Sequence, residues 1–301
     1  MTSAVKPVGP SREEFSDRLL KGSVKKSYEP VVDIDWDAPL DPDKFFLPPR
    51  LLSLYDTPMW DEMTREQQIE LSRQELVNIL SAGIWFENIL NQALLRTIMH
   101  EDPTSRTTHY KLTELGDETR HMVMFGKAIE RVGAKPVRPR LFHRLIINAL
   151  PLWFQRGSTL WVAALIGEEI FDSLQRQMMD DPELQPIIQR LMRIHVTEEA
   201  RHIQFARDGA RKRVVEMPRL NRWLIANING LGGYFFDYLF HYPVQYARAG
   251  LDPKRARKTA RTNPHRRDTQ VAGFAPLAAF LTEIGLMGPI ARRGWKRSRF
   301  L

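Results

Sequence analysis

Two short stretches decide the reading of this chain: Asp117-Glu118-Thr119-Arg120-His121 and Glu198-Glu199-Ala200-Arg201-His202. Each contains Glu-x-x-His. On a helix, side chains three residues apart point the same way, so a carboxylate and an imidazole can close on one metal ion. The motif glutamates, Glu118 and Glu199, stand 81 residues apart. Thirty-one residues before each stand Glu87 and Glu168. The chain thus carries the same pattern twice, an internal duplication of a helical hairpin.

Hydrophobic periodicity predicts the helices that carry these residues. Thr64 opens the first, with Glu66 and Gln67 in its first turn as a capping signal. It runs to about Met99, with Leu76, Leu80, Ile84, Glu87, Asn91, Leu94 and Ile98 on one face. The second spans about Thr107 to Arg131 and stops at Gly133 and Pro136. The third covers about Ser158 to Met179, with Glu168 on a stripe with Leu160, Trp161, Ala164, Leu165 and Phe171. The fourth covers about Pro186 to Glu216, and a further apolar helix is expected from Leu220 to Phe240. Phe274 to Ile290 is a final apolar segment. Strand alternation is nearly absent, so the fold class is all-α.

Four helices giving Glu, Glu-x-x-His, Glu and Glu-x-x-His are the ligand set of a carboxylate-bridged dimetal centre in a ferritin-like four-helix bundle. Residues 134–157 are long enough for its one long crossover, and additional helices follow at the C-terminus. Prolines at 7, 10, 30, 39, 42, 48, 49 and 58 make residues 1–60 an expected irregular arm. The bundle domain is read as residues 61–246, followed by a basic extension, 247–301, packing on or beside it.

Four carboxylates nearly neutralise two divalent ions, whereas unpaired glutamates facing an apolar core would be costly. The expected metal ligands are Glu87, Glu118, His121, Glu168, Glu199 and His202. His195 precedes Glu199 by four residues and shares its stripe, giving His-x-x-x-Glu-x-x-His and a seventh expected ligand. The corresponding position of the first half is Glu114, where the duplication breaks.

Composition agrees. The 301-residue chain has no cysteine, which excludes disulfides, thiolate metal sites and a cysteine nucleophile, and leaves nitrogen and oxygen ligands. The net charge of +8 is uneven: Ala247 to Leu301 hold 13 Lys/Arg against three Asp/Glu, while the remainder is slightly acidic. A basic tail on an acidic body argues against nucleic acid as partner. Such a tail suits an acidic carrier protein, a membrane surface or another subunit, or is simply solvated. The reading favours recognition of an acidic partner and treats residues 291–301 as dispensable for the fold. The N-terminus lacks an apolar signal segment, and the apolar stretch Trp223 to Phe240 is too interrupted to span a bilayer, so it reads as core or interfacial surface and the cytoplasm is the expected location.

The set Glu87, Glu118-x-x-His121, Glu168, His195-x-x-x-Glu199-x-x-His202 resembles the di-iron arylamine N-oxygenases of the p-aminobenzoate N-oxygenase type, over about residues 60–215. The resemblance implies two irons, with manganese as a possible substitute, and an external electron-donor protein. It implies bridging by Glu118 and Glu199. Glu87 and His121 would complete one iron, and Glu168, His195 and His202 the other. The implied activity is oxygenation of a small organic substrate by dioxygen, first of all at an amine nitrogen. C-hydroxylation or desaturation of a carrier-bound substrate is the alternative; a ferroxidase or storage bundle is the different class. A homodimer stays open.

Trp85, Phe86, Phe125, Trp161, Phe171 and Phe205 are candidate pocket or core residues. Glu169 reads as solvated or adjoining the ligands, and Asp117, Arg120, Glu198 and Arg201 are left open between pairing near the site and surface charge. His100, His109, His143, His241 and His265 read as structural or exposed.

Overall fold

The computed structural model describes residues 10–138, 144, 145, 148 and 158–301. Its first elements are α1 (Arg12–Lys25) and the short α2 (Pro30–Asp33) and α3 (Pro58–Asp61). The bundle consists of α4 (Arg65–Ile98), α5 (Arg106–Arg131), α6 (Ser158–Arg176) and α7 (Pro186–Glu216). Then come α8 (Arg219–Ile228), α9 (Leu231–Phe240), α10 (Pro243–Arg248), α11 (Pro253–Thr262), α12 (Pro264–Glu283) and α13 (Pro289–Arg297). Among the described residues the only β pairing is an isolated bridge between Phe45 and Leu184. The chain is all-α.

Local chemistry explains the bundle boundaries. Thr64 accepts from the Gln67 amide while the Gln67 side chain accepts from the Thr64 amide, a reciprocal cap at the start of α4. Ser105 caps α5, and Gly133, at φ 66°, turns the chain away from its end. Short connections join α4 to α5 and α6 to α7, and each pair packs together as a hairpin. The crossover expected over 134–157 lies largely outside the described residues.

Two expectations about the ends need correction. The segment read as irregular contains the 14-residue helix α1, because no proline interrupts the chain between Pro10 and Pro30 and Ser11 with Glu14 forms a capping box. This helix lies on α5 and α7; its Arg12 bonds the Phe205 carbonyl at 2.8 Å and Asp208 at 2.6 Å. Nor do residues 291–301 stand apart from the fold. Trp295 and Phe300 are fully buried; the Trp295 ring stacks on Phe274 at 4.0 Å and its indole N–H donates to Asn229 at 2.9 Å. α12 packs against α6, so the basic segment belongs to the core on one face and to solvent on the other.

The expected helix from Leu220 to Phe240 is instead two helices, α8 and α9. The Asn229 amide is occupied by the carbonyls of Ile225, Ala226 and Leu286. Beside it α13 crosses so closely that a Cβ on Gly230 would stand 2.6 Å from the Ala291 backbone. Only glycine admits that crossing.

Candidate metal centre

All seven expected ligands converge in the middle of the bundle: Glu87 from α4, Glu118 and His121 from α5, Glu168 from α6, and His195, Glu199 and His202 from α7. Ligand atoms of Glu87, His121, His195 and Glu199 lie within 4.8 Å of one another. So do those of Glu118, Glu199 and His202, and those of Glu114, Glu118 and Glu168. Glu118 and Glu199 each belong to two of these groups, the position a bridging carboxylate needs. His195 Nε2 faces Glu87 at 3.4 Å and Glu199 at 3.6 Å. It therefore sits in the group of Glu87 and His121, where the family resemblance implied the company of Glu168 and His202.

Glu114, absent from the expected ligand set, is buried and lies in a group with Glu118 and Glu168. Its signal in the sequence was the 81-residue offset that places it opposite His195. Asp117 and Glu198, left open by the sequence, are both buried and both committed to histidines. His121 meets Glu118 through Nδ1 at 2.9 Å and Glu198 through Nε2 at 2.9 Å. His202 meets Glu118 through Nδ1 at 2.9 Å and Asp117 through Nε2 at 3.2 Å. The arginines close the ring: Arg120 pairs with Asp117, and Arg201 lies 3.5 Å from Asp117 and 3.9 Å from Glu198. Glu169 is buried against Arg207, bound by two guanidinium nitrogens at 2.7 and 2.5 Å. His241 is buried beside Asp237, and His265 bonds the Arg50 carbonyl, the structural roles expected; His143 lies outside the described residues.

The electrostatics show what such a cluster lacks. Burial, then the neighbouring carboxylates, push Glu87 and Glu168 well above the ordinary range. Burial likewise drives Glu114 up to about 8. Burial opposes ionisation of Glu118 too, but His202 and His121 outweigh it and hold this carboxyl well below the usual range. Burial works against protonation of His121, yet Glu118 and Glu198 raise it to about 10. His195 is held neutral by burial and by His121.

Both oxygens of Glu168, Oε2 of Glu199 and Nδ1 of His195 are buried without a hydrogen-bond partner among the described residues. Buried polar atoms are nearly always satisfied. Orphaned carboxylate oxygens crowded around neutral imidazole nitrogen are what divalent cations satisfy, so the donor set fits two of them.

Beside the cluster is a cavity of about 20 Å³, room for about one water. Phe86, Phe125, Phe171, Gly83, Gly167 and Gln175 line it with the candidate ligands Glu87, Glu168, His195 and Glu199. A Cβ on Gly167 would stand 2.8 Å from the Phe86 ring, and one on Gly83 equally close to Phe125. Phe86 is also a wall of a second, more open pocket with Trp85, Phe235, Tyr238, Leu239 and Tyr242. Trp161 and Phe205 lie elsewhere, packed with each other and, through Phe205, with Tyr110.

A four-helix bundle that projects Glu, Glu-x-x-His, Glu and Glu-x-x-His into its core defines the class of ferritin-like carboxylate proteins. Within it, the family model described as p-aminobenzoate N-oxygenase AurF matches residues 9–285, and the chain belongs to that family. It is 32% identical over 297 residues to an uncharacterized protein of Mycobacterium tuberculosis strain CDC 1551, covering 94% of this chain and 86% of the relative. A Mycobacterium bovis protein, also uncharacterized, matches over the same length at 31% identity. Among solved structures, a variant R2-like ligand-binding oxidase with an aerobically reconstituted Mn/Fe cofactor is similar at a TM-score of 0.47 and 15% identity. That match covers 98% of this chain and 94% of the oxidase.

Proposed function

We propose that this protein is a di-iron oxygenase that inserts oxygen from dioxygen into a small organic substrate, with oxidation of an amine nitrogen as its reaction. The observation that carries the proposal is the convergence of Glu87, Glu118, His121, Glu168, His195, Glu199 and His202, with carboxylate oxygens that have no hydrogen-bond partner among the described residues. Membership of the p-aminobenzoate N-oxygenase family supports the choice of nitrogen.

These seven residues would hold two irons, with Glu118 and Glu199 shared between them. Bound there, iron supplies the redox chemistry that activates dioxygen. The remaining work belongs to the chain. Asp117 and Glu198 fix the ring orientation of His202 and His121, so that Nδ1 points into the cluster. Phe86, Phe125 and Phe171 supply the apolar part of the lining of the adjoining cavity. Because that cavity holds no more than a water, a substrate enters by displacing Phe86 toward the outer aromatic pocket.

In the overall reaction, one oxygen atom of dioxygen forms a bond to the amine nitrogen and the other leaves as water. Two electrons and two protons come from an external reductant. Iron-loaded, reduced protein given labelled dioxygen and a panel of aromatic amines tests the proposal by mass spectrometry. Label in the nitrogen-oxygenated product is the expected result. Catalytic oxidation of ferrous iron with no label in any organic product would replace it with the ferroxidase reading.

A further inference from the structure

We infer that the face formed by α8, the start of α9 and α13 binds the surface of an anionic lipid membrane. The inference is independent of the reaction proposed above. Leu220, Trp223, Leu224 and Ile228 recur along α8 at the spacing of one helical face, and that face is turned outward. Leu231 at the start of α9 and Ile290 on α13 extend it. Leu220, Trp223, Ile228, Leu231 and Ile290 are each 52–67% exposed. A soluble surface rarely gathers so many large apolar side chains in one place.

The three helices form one rigid unit. The Gly288 amide donates to the Ala226 carbonyl at 2.8 Å, and the Ile290 amide to the Asn227 side chain at 3.1 Å. Trp295 ties α13 to Asn229 from beneath. On the outer side of α13, Arg292, Arg293, Lys296 and Arg297 are exposed and form no ion pair among the described residues. Arg219 adds a cation at the start of α8. The only acid in α8, α9 and α13 is Asp237, which is buried beside His241 and Arg261.

Charge decides the occupant. A second copy docked by the same face would bring cations against cations with no acid to offset them. The apolar side chains stand out from this face together, and a bilayer interface accepts such side chains where a protein partner would need a fitted groove. Protruding Trp, Leu and Ile beside Arg and Lys are the composition of surface-lying membrane helices, which take anionic headgroups at the charges and acyl chains at the apolar tips. No described helix is long and apolar enough to cross a membrane, so the contact lies along the surface.

Flotation of the full-length, iron-loaded protein with vesicles of phosphatidylcholine, with and without phosphatidylglycerol, tests this. Binding is expected to the anionic vesicles and to fall with salt. The double substitutions Leu220→Ser/Trp223→Ser and Arg293→Glu/Lys296→Glu change only exposed side chains, and each is expected to weaken binding by at least roughly tenfold with an unchanged circular dichroism spectrum. Absence of flotation overturns the proposal, as does binding that ignores the serine variant. A dimer in sedimentation that this variant dissociates would assign the face to a second copy instead. Capture by a purified acidic carrier protein in place of vesicles would assign it to a protein partner.

Discussion

His121 Nε2 lies 2.9 Å from Glu198 Oε2, across the boundary between the two duplicated hairpins. The reverse bond runs from His202 to Asp117 at 3.2 Å. Each motif therefore carries, immediately before its candidate glutamate ligand, the carboxylate that meets the other motif's histidine. Such partners commonly change metal affinity 10–100-fold. Glu198→Gln and Asp117→Asn are each expected to lower iron affinity by roughly tenfold or more, measured by chelator competition. Unchanged affinity in both would mean that the histidines are held by packing alone.

Glu118 and Glu199 lie in two donor groups each, whereas Glu87 and Glu168 lie in one. Glu118→Ala or Glu199→Ala is expected to lose both metals, while Glu87→Ala retains one. Iron per chain, determined after loading and desalting, checks the difference.

His195 is one of seven candidate donors, held neutral by burial, and its Nδ1 has no hydrogen-bond partner among the described residues. His195→Ala is expected to keep most of the iron and yet change oxygen-consumption kinetics and product yield. Identical kinetics and yield would return His195 to a purely structural place in α7.

Gly167 and Phe86 occupy equivalent positions of the two halves, each just before a candidate ligand glutamate, and they lie against each other. A methyl group at 167 would stand 2.8 Å from the Phe86 ring. Overpacking of this kind costs about 1–3 kcal/mol. Gly167→Ala is expected to lower stability by that order in urea unfolding and to raise KM by shifting the cavity wall. Phe86→Ala joins the two pockets and is expected to admit bulkier amines.

Glu75, far along α4 from the candidate metal centre, is buried with Ser53, Tyr246 and Arg266. Burial raises its carboxyl to about 7 from an ordinary value of 4.5. In that window the folded chain keeps a proton that the unfolded chain has lost, so stability falls as pH rises from about 4.5 to 7. The loss is about 3 kcal/mol, complete above pH 7. Glu75→Gln is expected to remove this slope, gaining on the native protein between pH 5 and pH 8. Parallel stability curves for the two proteins would refute the assignment.

The duplicated spacing made the four bundle helices and the seven converging residues legible, because a ligand on a long amphipathic helix is fixed by period and register. Thr64 with Gln67 marked the start of α4, and Gly133 the end of α5. The sequence reading missed α1, because it took the prolines of residues 1–60 as breaking the whole arm, whereas the proline-free window between Pro10 and Pro30 opens with a Ser11–Glu14 cap.

What the sequence by itself determined is the all-α class, the hairpin repeat and the set of metal-ligand candidates, since each follows from side-chain spacing along one helix. What only the tertiary structure decided lies between helices. The exchange of Asp117 and Glu198 between motifs, the burial of Glu114 and the company of His195 depend on how four helix faces meet. So does the fate of the C-terminal segment, expected only to pack on or beside the bundle, which sends Trp295 and Phe300 into the core. Periodicity fixes which side chains share a face; the face each one meets is set by packing among residues distant in the chain.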